Sequence, residues 1–510
     1  MTTPTPVADP PAPWPVERRT QDNSATSRSR SASIPSVAAP RDAVRTAQRN
    51  AIRQHNSRSP KPAAVIARME QSASSRVAFT FFLMVTATLF LRPAEIIPPL
   101  AGLPIYEVLI LATAGLSFQS VIRKLRWNSL RISPITICVL GLLAATALSH
   151  ASHAYLYGLR TSTIFVAKTL VSFVLMIAVV DTPDRLRRFA LTTAVCSSAM
   201  VALCVVDYVG IVDFPFIQHV ADRDGVLATG EANKVLRMRG TGIFQDPNDL
   251  ALLIVGTLML CAYLLSNSAL GAVRFAWLGP IAILLSGLFY TRSRGGLLAF
   301  AGAIFALILA RCGKKVAIAI GVCGVLAIPA VAGRQGEIDL ESGTGHERLL
   351  LWREGIVAVM SPDLLFGIGQ GLYGDLAGLV AHNSFVHAYV ELGLFGGTLF
   401  FGCFFFAGWA FYRMRRDRIP IVVPELKRFF PYACAIAMGW CVGMLSLSRC
   451  YVVPTYMVIG LMAVYVEMLG KQTTPPRPLL TWSQSSVTRL TAASGMFFAA
   501  IVVFVRVMAR

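Results

Sequence analysis

Hydrophobic residues in this chain fall into long blocks that are separated by polar segments. Each block holds about 17–22 residues, and a helix of that length, rising 1.5 Å per residue, crosses a hydrocarbon core of roughly 30 Å. Twelve blocks predict membrane-spanning helices, near residues 77–96, 99–117, 132–150, 161–180, 189–208, 249–268, 275–291, 295–311, 315–333, 385–412, 429–448 and 451–469. A last apolar stretch, 491–508, is a thirteenth candidate. The pattern therefore predicts an all-α polytopic membrane protein.

The polar segments divide the chain into three parts. Residues 1–76 are rich in Ser, Pro, Ala and Arg, so they cannot bury enough surface to offset chain entropy and are predicted to form a disordered, basic tail. Residues 77–470 hold the twelve blocks, and residues 471–510 form a C-terminal segment with the thirteenth. Two connections in the central part, 209–248 and 334–383, are long, which is typical of functional loops.

Composition agrees with a membrane protein and narrows the choice of partners. The 510 residues are 55% apolar and 15% charged, which is too little charge to cover a soluble protein of this size. The net charge of +20 lies mainly in the tail and in short loops, where arginines act as topology signals and contact membrane lipids, so no nucleic-acid partner is expected. The ten cysteines are scattered and are interpreted as buried apolar residues.

Basic residues alternate between successive connections. Every second connection carries Lys or Arg, and the intervening short loops are nearly free of both. The basic connections lie at 123–131, 185–188, 274, 311–315, 413–428 and 471–477. This alternation predicts a cytoplasmic N-terminus and an extracytoplasmic position for both long loops.

The first long loop ends in residues suited to a helix entrance and to phosphate binding. It contains Arg239, then two glycines, then Asp246-Pro247-Asn248-Asp249. Its Asp and Asn residues can cap the following helix, with the proline in the first turn. The two carboxylates could instead bind a metal, but no third carboxylate partner is evident. Arg239, beside glycines at a helix entrance next to the bilayer, has the features of a phosphate-binding group.

Two further cations, Arg292 and Arg294, follow the seventh block in the run Thr-Arg-Ser-Arg-Gly-Gly. They lie at the outer end of the predicted span, where the charge rule disfavours them. One interpretation is that both side chains extend from the helix end toward water. The other interpretation is that they bind an anionic ligand.

The second long loop carries a histidine at a predicted helix start. Arg348 and Trp352 are four residues apart, so on a helix they share a face, where the Arg stem can pack on the indole or contact a substrate. His382 is followed by Asn383, which can cap the next apolar helix. That helix N-terminus and nearby arginines favour neutral imidazole, whereas a bound pyrophosphate would favour imidazolium. Glu391 lies two turns further on, four residues after a histidine with which it can pair.

Taken in order, these segments resemble the O-antigen ligase and polymerase (Wzy_C-type) family. The similarity rests on Arg-x-x-Gly-x-Phe-x-Asp-Pro-Asn at 239–248, Ser-Arg-Gly-Gly at 293–296, Arg-x-x-x-Trp at 348–352, Pro362 with Gly367-x-Gly369, His382-Asn383, and Glu391-x-Gly393. It covers residues 77–470, and its specificity lies in the ordered set rather than in any single motif.

The resemblance implies a GT-C-like multi-span fold in a bacterial inner membrane. It implies transfer of a glycan from an undecaprenyl-pyrophosphate carrier to a lipid A core sugar or a growing polysaccharide chain, on the extracytoplasmic side. Carried over by position, His382 would be catalytic, and Arg239 and Arg294 would hold the pyrophosphate, with Arg292 a weaker match. The possible supporting residues are Arg348, Asn248, Asn383 and Glu391. The family is regarded as metal-independent, and no cofactor is expected.

The sequence leaves three other functions open. A polymerase of the same family would use the same donor and differ in its acceptor. A transporter or flippase for a lipid-linked sugar suits the number of spans, although transporters usually keep ionisable residues near the midplane of the membrane. A purely structural membrane subunit is the third. The preferred interpretation is an inverting glycan ligase.

Overall fold

The computed structural model describes residues 62–72, 74–226, 232–322, 344–360 and 362–509. Over these residues the chain is a bundle of helices, and ten helices are long and apolar enough to cross a membrane. The predicted all-α polytopic membrane fold is therefore confirmed.

The main helices and strands are numbered in chain order. They are α1 (Pro62–Glu70), α2 (Arg76–Leu91), α3 (Ile105–Leu125), α4 (Pro134–Ala151), α5 (Leu156–Val179), α6 (Pro183–Tyr208), β1 (Val220–Val226), β2 (Ala232–Arg237), α7 (Pro247–Leu265), α8 (Leu278–Thr291), α9 (Arg294–Cys312), α10 (Thr344–Val359), α11 (Ser384–Arg416), α12 (Pro424–Gly443), α13 (Val453–Lys471) and α14 (Gln484–Met508).

The ten candidate spans are α3 to α7, the segment Ser268–Thr291 that contains α8, and then α9, α11, α13 and α14. The thirteenth candidate from the sequence, now α14, is among them. Helix α2 is apolar but has only 16 residues. Helix α12 is the predicted eleventh span. Three of its first five residues are charged, and it is not among the ten candidate spans. The predicted span 315–333 lies mostly outside the described residues, so the count of twelve or thirteen stays a prediction.

Two segments predicted as loop or tail contain regular structure. Residues 1–61 lie outside the described residues, but α1 falls inside the predicted tail and buries Val65 and Met69 in the apolar core. The folded part of the chain therefore begins earlier than its composition indicated. The first long loop contains an antiparallel hairpin of β1 and β2, in which Val220 pairs with Arg237.

Burial separates central helices from peripheral ones. The most apolar stretch of α13 is 83% buried and that of α7 is 72% buried, so both lie in the middle of the bundle. The corresponding values are 17% for α3 and 22% for α14. Because all these helices are strongly apolar, the exposed surfaces of the peripheral ones are suited to contact lipid.

Polar contacts define two ends of the bundle. At one end, which we call the basic end, Lys124 of α3 lies 2.5 Å from Glu467 of α13, and the Trp482 amide donates to the Arg131 carbonyl at 2.7 Å. At the other, which we call the hairpin end, the Met238 amide donates to the Tyr290 carbonyl at 3.0 Å. The basic connections predicted from the sequence lie at the basic end, and the described parts of both long loops lie at the hairpin end.

Helix α11 is broken at Gly393, whose φ of 64° and ψ of −167° are not helical. The break frees backbone carbonyls inside an apolar bundle, where an unsatisfied carbonyl is costly. The loop around Gly367 supplies the missing donors: the Ile368 amide donates to the Val390 carbonyl at 3.0 Å, and the Gly369 amide donates to the Glu391 carbonyl at 3.1 Å. The loop 365–369 and the segment of α11 around Gly393 are therefore joined by backbone hydrogen bonds, and we call this arrangement the clasp.

Side chains of α4 and of the turn that follows it hold the same loop from the other side. His150 Nε2 lies 3.0 Å from the Gln370 carbonyl, and His153 Nε2 lies 2.9 Å from Asp363 Oδ1. The Gln370 amide donates to the Ser149 hydroxyl at 3.3 Å. The clasp is thus fixed between α4 and α11, close to the start of α11.

Replacing Gly367 by alanine should destabilise the protein. A Cβ at this position would lie 2.4 Å from the backbone of Glu391, and the φ of 78° strains any residue with a side chain. Overpacking and backbone strain together cost roughly 2 kcal/mol or more. We expect a lower unfolding temperature for Gly367→Ala in purified, detergent-solubilised protein. Gly374→Ala is the matched control, because nothing lies within 4 Å of its Cβ position, and equal unfolding temperatures for both variants would contradict the clasp.

Candidate functional site

Three of the helices that begin at the hairpin end, α7, α9 and α11, have a side-chain cap at the N-terminus. Asp246 accepts the Asn248 amide at 2.7 Å at the start of α7, and Ser293 accepts the Gly296 amide at 3.0 Å at the start of α9. Asn383 accepts the amides of residues 385 and 386 at 3.0 and 3.2 Å at the start of α11. The predicted capping roles of Asp246 and Asn383 are therefore confirmed. Helix N-termini favour bound anions, so three of them at one end favour an anionic ligand.

Asn248 joins the two predicted cation segments. Its Oδ1 accepts a hydrogen bond from Arg237 Nη2 at 3.0 Å and another from the Ser293 hydroxyl at 2.7 Å. Arg237 Nε also donates to the Thr291 carbonyl at 3.0 Å. Sequence reasoning did not single out Arg237, which stabilises the arrangement from the end of β2. The hairpin, the α7 entrance and the α9 entrance are thereby held together.

Arg239 lies two residues beyond this bridge and is held through its backbone. Its amide donates to His219 Nδ1 at 3.3 Å, and the other ring nitrogen, Nε2, lies 3.0 Å from the Asp207 carboxylate. The guanidinium Nε of Arg239 is buried and has no hydrogen-bond partner among the described residues. A buried donor without a partner costs about 1–3 kcal/mol, so this arginine is suited to receive an external acceptor.

The glycines after Arg239 allow a close approach from α2. Gly242 has a φ of 59°, and a Cβ there would overlap the side chain of Arg92. The ring of Phe90, near the end of α2, stacks on Phe244 with centroids 6.0 Å apart. These contacts position the 239–244 turn and place the Arg92 side chain beside it.

Arg292 and Arg294 are exposed at the α8–α9 turn. Arg292 ends α8 in the left-handed region, with a φ of 48°, and Arg294 is the first residue of α9. The glycines that follow allow tight packing, because a Cβ at Gly296 would lie 2.5 Å from the Ala251 Cβ. The Ser-Arg-Gly-Gly run therefore allows α9 to pack closely on α7, while its arginine, Arg294, stays at the surface.

His382 is half-buried at the entrance of α11. It has a φ of 49°, and the carbonyl of Ala381 before it accepts the indole N–H of Trp352 at 2.6 Å. Burial lowers the pKa of His382 below its usual value, and the charge of Arg348 lowers it further. Arg449 and His387 act in the same direction, and only Asp246 opposes them. The neutral imidazole is therefore favoured, and it can accept a proton.

Arg348 and Trp352 both lie on α10, as predicted. The contacts of the indole are with the Ala381 carbonyl and with Phe504. Trp352 donates to the backbone before His382, and its ring lies 6.4 Å from that of Phe504. Arg348 is half-buried, and burial lowers its pKa while Asp246 opposes the shift. Arg348 interacts electrostatically with His382 and with Asp246, so α10 lies at the same site as the entrances of α7 and α11.

Arg449 belongs to the site and was missed by sequence reasoning. Its Nε donates to Asp249 at 2.5 Å, its Nη2 lies 3.9 Å from Asp246, and its amide donates to the Ser384 hydroxyl at 2.8 Å. It lies in the short connection between α12 and α13 at the hairpin end. The charge rule that singled out Arg292 and Arg294 would have found it, because it is another arginine in a predicted outer loop.

Among the described residues, Glu391 forms its ion pair with His387 and not with an arginine. It is 1% exposed, its Oε1 lies 2.9 Å from His387 Nε2, and the same oxygen accepts the Tyr373 amide at 3.2 Å. The pairing with the histidine four residues earlier is as the spacing indicated. Glu391 therefore stabilises the clasp around α11, whereas His382 lies at the helix entrance with Arg348 and Arg449.

The carboxylates of the first loop are committed to other contacts. Asp246 caps α7, and Asp249 binds Arg449. Among the described residues, no three or more His, Cys, Asp or Glu side chains are grouped to hold a metal ion. Metal independence itself stays a prediction.

Comparison with known proteins supports the family expected from the motifs. Residues 279–401 match the family model described as O-antigen ligase, Wzy_C. The matched segment contains Arg292, Arg294, Arg348 and His382, and Arg239 lies outside it. No curated protein matches the chain. The predicted resemblance is thus confirmed over this segment, and it supports an activity of the O-antigen ligase or polymerase type in a multi-pass membrane protein.

The protonation of His382 should depend on Arg348. Diethyl pyrocarbonate reacts with neutral imidazole, so the modification rate of His382 should rise with pH, with a midpoint below the usual histidine value of about 6.5. Arg348→Gln removes one of the charges that lower this pKa and should move the midpoint to higher pH. Mass spectrometry of the modified peptide gives the rate at His382 separately from His387. Arg413→Gln, at the basic end, is the control, and an unchanged midpoint in Arg348→Gln would rule out the coupling.

Proposed function

We propose that this protein transfers a glycan from a polyprenyl diphosphate carrier, undecaprenyl pyrophosphate, to an acceptor sugar at the hairpin end of the bundle. The observation that carries the proposal is the convergence of arginines around a histidine that favours its neutral form. Arg237 and Asn248 hold the segments of Arg239 and Arg294 together, and Arg348 acts on His382. The O-antigen ligase match over residues 279–401 supports the class of reaction.

The arginines supply the electrostatic part of the mechanism. The carrier diphosphate gains negative charge as the bond between sugar and oxygen breaks, and guanidinium groups placed at that charge stabilise the transition state. Arg239 has a buried Nε that awaits an acceptor, and Arg294 lies at a helix N-terminus. Arg292 lies two residues from Arg294 and adds a third cation. The three capped helix entrances add partial positive charge at the same end.

His382 is the group that takes the proton from the attacking hydroxyl of the acceptor. The arginine charge that lowers its pKa keeps it available as a base before the donor binds, whereas a bound diphosphate raises its proton affinity as the reaction proceeds. Attack on the anomeric carbon from the face opposite the diphosphate inverts that centre. Asn383 positions His382 by capping α11, and Glu391 holds the loop beside α11 by accepting the Tyr373 amide.

The acceptor and the orientation complete the proposal. The basic end faces the cytoplasm of a bacterial inner membrane, and the hairpin end faces the extracytoplasmic side, as the charge distribution of the connections indicates. The acceptor is a lipid A core sugar in a ligase, or the end of a growing polysaccharide chain in a polymerase. Ligase is the preferred function. The gathering of arginines at one end, rather than near the midplane, favours either transferase over a flippase.

The proposal is tested by transfer assays on purified protein with lipid-linked donor and each acceptor. Arg239→Ala, Arg294→Ala and His382→Ala should each abolish transfer while the amount of protein in the membrane stays normal. Each lost arginine contact is worth about 1.5–3 kcal/mol, hence at least about tenfold in rate, and a lost general base costs about 10²–10⁴-fold. Arg239→Lys should also be poor, because an ammonium lacks the guanidinium fork.

Arg126→Ala is the matched control, because this exposed arginine lies at the basic end. Near-normal transfer by His382→Ala would remove the acid–base role. The product decides between the two transferases: glycan on lipid A core identifies a ligase, and lengthened carrier-linked chains identify a polymerase. No transfer to either acceptor by the unmodified protein would contradict the proposal.

Arg449 should contribute to transfer through its contact with Asp249. Arg449→Gln removes a charge that acts on His382, so kcat/KM should fall and its acidic limb should move to higher pH. Asp249→Asn keeps the arginine but releases its Nε, so kcat/KM should fall less. Pre-steady-state and steady-state rates from pH 5 to 8 give kcat/KM and the pH of its acidic limb. A fall in kcat/KM without any change in its pH dependence would assign Arg449 a packing role only.

A further inference from the structure

A second cationic site lies at the hairpin end, in a cleft of about 520 Å³ between α10 and the last turns of α14. Two arginines line it, Arg353 of α10 and Arg506 of α14, and its other lining residues are apolar. Neither arginine takes part in the proposed transfer. The cleft is formed on a side of α10 where Leu349 and Ile356 pack on α14.

The charges of the cleft are suited to a phosphate. Among the described residues, none that lines the cleft carries a carboxylate, so the two guanidinium groups face the cleft without an acidic partner in the described part of its wall. Arg353 makes one contact, at 3.4 Å, with the backbone carbonyl of Ala509. Guanidinium groups bind phosphate oxygens through paired N–H donors and stay charged at all physiological pH values.

The apolar part of the cleft is suited to an acyl chain. Helix α14 is a candidate membrane span, and near the cleft it exposes Val503 and Val507, each 61% exposed. Val357 of α10, a lining residue, is 66% exposed. Apolar side chains this exposed beside a membrane span are suited to contact lipid tails rather than water. A ligand that fills the cleft is therefore amphiphilic, with an anionic head and an apolar chain.

We propose that this cleft binds an anionic phospholipid, with its phosphate on Arg353 and Arg506 and an acyl chain along Val357 and Met360. The occupant is a lipid of the surrounding bilayer and not the glycan donor. Charge complementarity and continuity with the α14 span support this choice over a free anion, which would leave the apolar wall uncovered.

The bound lipid has a consequence for the proposed transfer site, and this step rests on the proposed function. Other residues of α10 act on His382: Trp352 holds the carbonyl before it, and Arg348 lowers its pKa. A lipid held between α10 and α14 stabilises the position of α10, and therefore of both residues. Anionic lipid should raise the rate of transfer.

Binding is tested on the full chain, purified in neutral detergent, with a photoactivatable phosphatidylglycerol. Cross-links mapped by mass spectrometry should fall in peptides covering 353–360 and 502–509. The double variant Arg353→Gln/Arg506→Gln should lower this labelling roughly tenfold or more, because each arginine–phosphate contact is charge-assisted. Val357→Trp, which covers the cleft with a larger side chain and keeps both arginines, should also lower the labelling. A phosphatidylcholine probe with the same chains should label more weakly.

Arg489→Gln is the matched control, since this arginine lies at the other end of α14, over the ring of Trp409 at 5.4 Å. Equal labelling of the double variant would overturn the site. A cleft that binds inorganic phosphate but is not labelled by phosphatidylglycerol would be a simple anion site, and this result would overturn the lipid assignment. Labelling at the cleft with no effect of phosphatidylglycerol on transfer in phosphatidylcholine nanodiscs would overturn the coupling to α10. Labelling does not depend on activity, so a failure of the proposed transferase reaction is distinguished from a failure of the lipid site.

Discussion

The cation site depends on one amide oxygen, Oδ1 of Asn248. It accepts hydrogen bonds from Arg237, at the end of the hairpin, and from Ser293, at the entrance of α9, so both of its lone pairs are used. The segments that carry Arg239 and Arg294 are each within two residues of these donors. Without the shared acceptor, the buried Ser293 hydroxyl and one guanidinium nitrogen of Arg237 would lose an acceptor, and only the backbone-directed contacts of Arg237 with Thr291 and of Met238 with Tyr290 would join the two segments among the described contacts.

The arginines at the hairpin end differ in how far they are neutralised. Arg449 is bound to Asp249, and Arg237 is used by backbone and amide oxygens, so both stabilise the protein itself. Arg239 keeps a buried donor without a partner in the described residues, and Arg292 and Arg294 are exposed. Cations that fix the geometry, beside others whose side chains are exposed, are a combination suited to binding of an external anion. Burial, together with the charges of Arg348 and Arg449, explains why neutral imidazole is favoured at His382.

The broken helix α11 connects this site to the rest of the bundle. Its break at Gly393 is tolerated because the 365–369 loop satisfies the freed carbonyls, and α4 and the turn that follows it hold that loop through His150 and His153. Glu391 closes the clasp by bonding to the amide of Tyr373. The residues that the motif spacing grouped with His382 therefore divide into two sets, one that forms the entrance of α11 and one that holds the helix in place.

The sequence by itself determined the fold class, the positions of most spans, the caps at Asp246 and Asn383, and the resemblance to the O-antigen ligase model over residues 279–401. These features depend on the length of apolar blocks and on residues within one helical turn, so local pattern is sufficient. Only the tertiary structure decided which charges meet. Asn248 and Ser293 are 45 residues apart, and Arg449 and Asp249 are 200 apart, so their contacts depend on how helices pack. For the same reason the roles of Arg237, His219 and Arg449, and the contact of Glu391 with the Tyr373 amide, could not be predicted from spacing.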